Sequence, residues 1–273
     1  MRKMTKVFIY LFISVLILAV FGLFATRFVP SNNSAASSDD CIAFDDTVVR
    51  DYLSNNKGMT IKDIHEINRI TISGVNNYSQ RDLNVEYNRH STNRINDTCT
   101  IVAVTTMLDY YGNFLNEFEL DDTEDCFRNV YDACLEKGLT TINEGTPKTN
   151  TGWCLKTGFE DYNSTRGVAA DWWNPIGDIN NAVSANYPII FDLTDHSIVI
   201  CGKVEYQVVY EYTYWSGFLW WGSNVTETET KVEEFAIVCE GWGIESRSLV
   251  WYNKITNYFN GGMQAIWATG REA

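Results

Sequence analysis

Two residues of this chain have the types and settings to act together on a carbonyl carbon. Cys99 follows Asp97-Thr98 and opens a run of apolar residues and threonines that ends at Gly112. That pattern predicts a buried central helix over 98–112, capped by Asp97 or Thr98 and closed by Gly112 at C′. The thiol then sits in the first turn, where unpaired N–H groups and the macrodipole favour a negative charge, so the thiolate is stabilised. His196 opens the run His-Ser-Ile-Val-Ile-Cys-Gly, a strand that directly follows another strand over 188–193. An imidazole at a strand edge can reach a helix N-terminus across a cleft and take the thiol proton. The chemistry of such a pair is nucleophilic acyl transfer. The other two histidines, His65 and His90, have no comparable setting.

The remaining thiols add no second motif. The seven cysteines (41, 99, 126, 134, 154, 201 and 239) contain no C-x-x-C spacing. With three histidines in the chain, no metal site is expected, and the thiol chemistry requires no cofactor. In an oxidising compartment an odd count leaves at least one cysteine unpaired, and which ones pair is open at this stage.

The elements that must position the pair change character along the chain. Asp45–Leu53 reads as a short helix. The isoleucines at 61, 64, 67, 70 and 72 pass from helical spacing to strand alternation, with Thr60 as a cap. Asp122–Lys137 is an amphipathic helix ending at Gly138, and residues 140–175, rich in Thr, Asn and Gly, read as loop. Ile176–Ala185 is a short helix. Strands follow at 188–193 and 196–202, then a long hairpin over 204–231 with a Trp-rich tip from Trp215 through Trp221. Further strands lie at 235–239, 249–252 and 265–268. Helices first and strands later indicate an α+β fold. The aromatic tip, with Trp220 and Trp221, reads either as a contact surface for a substrate, a partner or lipid headgroups, or as a hairpin end folded back on the core.

Arg2, Lys3 and Lys6 precede an uncharged apolar run from Val7 to Ala25, long enough to span a bilayer. Basic residues on its N-terminal side place the remaining chain outside. The expectation is a single-pass anchor with an extracellular C-terminal domain, or a signal peptide and a secreted protein. Residues 1–30 are that segment, 31–84 a linker and small N-terminal region, and 85–273 the main domain. In the 273 residues, hydrophobic types make up 45% and charged types 21%, enough for a sizeable core. The net charge of −14, with no basic stripe beyond the N-terminus, excludes nucleic acid as a partner.

The two runs around Cys99 and His196 resemble a known family. Asp97-Thr98-Cys99 through Met107-Leu108-Asp109-Tyr110-Tyr111-Gly112 is similar to the nucleophile helix of bacterial papain-fold cysteine peptidases. These are related to the double-glycine leader-processing enzymes and, more distantly, to streptopain. Ile179-Asn180-Asn181-Ala182, Tyr187-Pro188-Ile189-Ile190 and His196-Ser197-Ile198-Val199-Ile200-Cys201-Gly202 look like the family's second signature. The resemblance covers roughly 85–268. It implies a papain-like fold with the nucleophile at the start of a central helix packed on an antiparallel sheet, a Cys-His dyad and a protein or peptide substrate. It also implies roles by position. Asn93 stands where the family has a Gln that helps hold the oxyanion, and Thr100 where it has a Gly. Cys239 stands where it has the Asn or Asp that orients the histidine, with Glu240 beside it as an alternative orienter. Trp242, within Gly-Trp-Gly, shields the site from water. Two other functions fit the same runs: a catalytically inactive papain-like surface binding module, and a thiol amidase or transferase acting on cell-wall peptides.

Overall fold

The structure is a computed structural model. It describes residues 36–92, 94–142, 144–171, 175–218, 221–242, 247–255 and 264–271. The anchor segment Val7–Ala25, Asn93 and Trp220 lie outside the described residues. Among the described residues no helix is long and apolar enough to cross a membrane.

The fold is α+β, built on one antiparallel sheet. The strands are β1 (Ile42–Ala43), β2 (Thr60–Thr71), β3 (Arg166–Asp171), β4 (Ile189–Asp192), β5 (Ser197–Phe218), β6 (Trp221–Cys239), β7 (Ser248–Trp251) and β8 (Gln264–Arg271). Their order is β1-β7-β6-β5-β4-β8-β3, and β2 pairs with the middle of β5, from Gly202 to Glu211. The helices are α1 (Asp46–Lys57), α2 (Gln80–His90), α3 (Cys99–Asp109), α4 (Thr123–Glu136), α5 (Thr151–Asp161), α6 (Pro175–Ser184) and α7 (Tyr252–Ile255).

Helix α3 is the central one. Every residue from Thr100 to Asp109 is buried, packed against the sheet and against α4 and α5. It approaches α5 closely because Gly158 has no side chain: a Cβ there would lie 2.7 Å from Leu108 Cδ1. Gly112 does not end the helix. The chain continues as a π-helical turn, Tyr110–Phe114, and Gly112 makes room for Phe118 and Leu120 instead.

Two other expectations are corrected. Met59–Ile72 contains no helix; Thr60–Thr71 is a single strand. The stretch 140–175 is not mainly loop, because it holds α5 and β3. The boundary expected at residue 84 does not separate sheets. β1 pairs with β7, β2 pairs with β5, and Lys57 at the end of α1 forms an ion pair with Glu233 of β6 at 2.7 Å.

Candidate active site

Asp97 takes a left-handed conformation, with φ of 51°, and turns the chain sharply into α3. Thr98 occupies the cap position but does not cap. Its hydroxyl donates instead to Asn84 Oδ1 at 2.6 Å. No acidic residue stands in the first turn. The helix N-terminus is therefore left to the side chain that opens it, Cys99, whose own N–H has no partner within the helix.

His196 immediately precedes β5 and lies beside Cys99, near enough for each side chain to shift the other's titration. Imidazole Nε2 lies 2.6 Å from the main-chain carbonyl oxygen of Glu240. A carbonyl only accepts, so Nε2 carries the proton and Nδ1 is left for the thiol. The histidine is oriented by a peptide group rather than by an Asn or Asp side chain. Cys239, at the position where the family has that side chain, is buried and 3.7 Å from Cys201. The carboxylate of Glu240 takes no part in orienting the ring; it accepts from Ser248 Oγ.

Trp242 is half exposed and lies flat on the imidazole, with ring centroids 4.9 Å apart and planes 13° apart. Gly241, with φ of 76°, makes the turn that folds the indole back. The segment between β2 and α2 holds that turn. Asn77 Oδ1 accepts from Gly241 N at 3.4 Å, Gln80 N donates to Gly241 O, and Ser79 bridges to Trp242. Replacing Trp242 by Ala is expected to expose the His196–Glu240 hydrogen bond. Exchange of the Nε2 proton, read by its NMR resonance, should accelerate, and about 1 kcal/mol of ring orientation should be lost. Trp242→Phe should retain most of the protection. Unchanged proton exchange in Trp242→Ala would remove the shielding role.

The electrostatics favour a charged pair. Burial pushes the Cys99 thiol up. The hydrogen bond and charge of His196, with the Ser197 N–H, outweigh it and bring the thiol below its ordinary value. Burial pulls His196 down. Its hydrogen bond and Coulombic attraction to Cys99, the Glu240 carbonyl and the nearby Asp195 charge outweigh that and raise it above 6.5. Asp195 is held in place by Ser38, which donates its N–H at 2.8 Å and its hydroxyl at 2.6 Å.

A buried polar chain, not foreseen from the sequence, joins nucleophile to base. Thr100 Oγ1 lies 2.9 Å from Ser197 Oγ, and Ser197 Oγ donates to Asp192 Oδ1 at 2.6 Å. Gln264 Nε2 donates to Asp192 Oδ2 at 2.8 Å. The residue after the cysteine is thereby bonded to the residue after the histidine, which fixes α3 against β5. Burial pushes the Asp192 carboxyl up, against the donors that pull it down. The only sequence signal was a hydroxyl following each of the two site residues.

A cavity of about 10 Å³, room for one water, lies between Cys99, Ala103 and Thr106 of α3 and Val199 and Cys239 of the sheet, with Asn77 at its wall. It is too small for a substrate, which must approach Cys99 from its exposed side. A larger cavity of about 660 Å³, between the start of β2 and the hairpin β5–β6, includes none of the site residues. Towards the hairpin tip Trp215 and Trp221 are exposed, Trp221 by 77%. His65 and His90 are surface residues beside Asp63 and Glu86. Among the described residues no three His, Cys, Asp or Glu side chains converge as metal ligands.

Neither a protein-family model, nor a curated protein, nor a solved structure matches this chain.

Proposed function

We propose that this chain is an extracytoplasmic cysteine peptidase of papain-like fold that hydrolyses peptide bonds through a Cys99–His196 dyad. One observation carries the reading. The thiol at the N-terminus of a buried helix lies beside an imidazole whose Nε2 is fixed by a main-chain carbonyl.

His196 takes the thiol proton, and the Cys99 thiolate attacks the carbonyl carbon of the scissile peptide. The oxyanion forms beside the uncommitted Cys99 N–H at the helix terminus. Collapse of the tetrahedral intermediate breaks the C–N bond, and the imidazolium gives its proton to the leaving amine. Water, deprotonated by His196, then hydrolyses the thioester and restores the thiol. Asn93 is proposed as a second oxyanion donor. The departure from the family's Asn or Asp does not remove the orienting bond, since the Glu240 carbonyl makes it. Tethering by the N-terminal segment puts the enzyme on the outer face of a membrane, with protein or peptide as substrate.

The test is a panel of unstructured protein, cell-wall peptide and a peptide with added amine acceptor. Mass spectrometry would read both products and any acyl adduct on Cys99. Hydrolysed protein with an adduct at Cys99 is expected. Adduct formation with cell-wall peptide or amine alone would identify an amidase or transferase. A chain that forms no adduct with any of the three is a binding module.

A further inference from the structure

Behind the dyad, the structure brings two further thiols together that the proposed mechanism does not use. Cys201 on β5 and Cys239 on β6 are 0% and 4% exposed, with their sulfurs 3.7 Å apart. The two strands pair in register on either side of this point, Val199 with Cys239 and Gly202 with Ile237. A bulge between Ile200 and Gly202 leaves Cys201 as the residue without a direct partner. The bulge turns its side chain towards Cys239 instead of the next position along the ladder.

We propose that Cys201 and Cys239 form a disulfide that clamps β5 to β6 directly behind the catalytic histidine. Cys239 immediately precedes Glu240, whose carbonyl holds His196, and Cys201 lies five residues along the strand that His196 introduces. A covalent link here fixes the spacing of the two strand ends that carry base and orienter. Forming the disulfide brings the sulfurs from 3.7 Å to a bond of about 2.05 Å. The cross-link joins residues 38 positions apart, so it also restricts the unfolded chain.

The chemistry balances with a small-molecule disulfide such as oxidised glutathione as acceptor. The thiolate of one cysteine attacks the acceptor and releases a thiol. The second thiol, losing its proton, then displaces the mixed disulfide. Two S–H bonds and one S–S bond are consumed, and one protein S–S bond and two small-molecule thiols are formed. Both sulfurs are buried in the folded chain, so the bond forms as the hairpin assembles.

The inference does not depend on peptidase activity, and its test is separate. The full-length chain in detergent is unfolded, refolded in a glutathione redox buffer, alkylated under denaturing conditions without reductant, and peptide-mapped. At the oxidised end, the Cys201 and Cys239 peptides should be recovered joined, lighter by two hydrogen atoms than the sum of the thiol forms. Cys99 should be recovered alkylated. In Cys201→Ala, Cys239 should be alkylated alone. Recovery of both as alkylated thiols at the oxidised end, or of Cys239 joined to another cysteine, would overturn the proposal.

Discussion

Replacing His196 by Ala will slow alkylation of Cys99 at pH 6 by one to two orders of magnitude. Without the imidazole, the thiol loses the hydrogen bond and the charge that bring it down, while the burial that pushes it up remains. An ordinary thiol with a pKa of about 8.5 is roughly 0.3% ionised at pH 6. Pairing with His196 lowers the thiol and so raises its thiolate fraction there. Part of that advantage is offset, because a less basic thiolate is also a weaker nucleophile. Hydrolysis should fall further, by roughly a thousandfold, since the same residue protonates the leaving amine. The Cys99 N–H at the helix terminus can hold an oxyanion but cannot move a proton. A His196→Ala variant that alkylates at the wild-type rate would mean that the helix terminus alone lowers the thiol and that the dyad has no chemical role.

The second large effect is on stability. Lys57→Met is expected to cost about 3 kcal/mol, read as a lowered urea midpoint. Glu233 is 4% exposed and accepts from Lys57 Nζ at 2.7 Å, Tyr210 OH at 2.9 Å and Trp251 Nε1 at 3.0 Å. The Lys57 ammonium also lies 5.2 Å from the Tyr210 ring centre and 5.1 Å from that of Trp251. Removing it strands a carboxylate in the interior with two neutral donors and no counter-charge. The double variant Lys57→Met with Glu233→Gln should recover much of the loss, because the buried charge goes with its partner. A single variant as stable as the parent would show that the carboxylate is served by its neutral donors alone. This cluster matters for the site because it docks α1 to the hairpin. The segment just before α1 is the one that holds Asp195 through Ser38, and Ala36 O accepts from Thr194 N at 3.0 Å. The loop leading into His196 is thus anchored by residues far earlier in the chain.

Which parts of this were legible in the sequence follows from how local their causes are. Helices α1 and α4 carry their own caps, Asp45 and Asp122, so both starts could be read directly, as could the end of α4 at Gly138; α1 runs past Leu53 to Lys57 and the left-handed Gly58. The placement of Cys99 at the start of α3 and of His196 before β5 depended on apolar runs with clear boundaries. Strand β2 misled because its bulges, between Ile61 and Asp63 and between Glu66 and Asn68, each add a residue. An extra residue turns the strand's spacing of two into a spacing of three, which imitates a helix. Helix α5 was hidden by Gly152 and Gly158, and the reason Gly158 is there, close approach to Leu108, is a tertiary one. The orienting carbonyl of Glu240 could not be read at all. A main-chain group leaves no trace in residue type, and Cys239 at the expected position pointed away from it. The Thr100–Ser197–Asp192–Gln264 chain is equally non-local, assembled from α3, β5, β4 and β8.

The pair's titration gives the account its most direct test. Cys99 is lowered and His196 raised, so each group favours the charged form of the other. The sign follows for each group. The lowered thiol contributes stability that is present above its unfolded value and lost as pH falls through its folded value. The raised imidazole contributes stability present below 6.5 and lost as pH rises through its folded value. The measurement is the rate of Cys99 alkylation against pH in the full-length chain, assigned by site-resolved mass spectrometry, with His196→Ala alongside. The account predicts a wild-type rate that reaches half its plateau well below pH 8.5, with that advantage lost in the variant. A wild-type profile that rises only near or above pH 8.5 and coincides with that of the variant would contradict it.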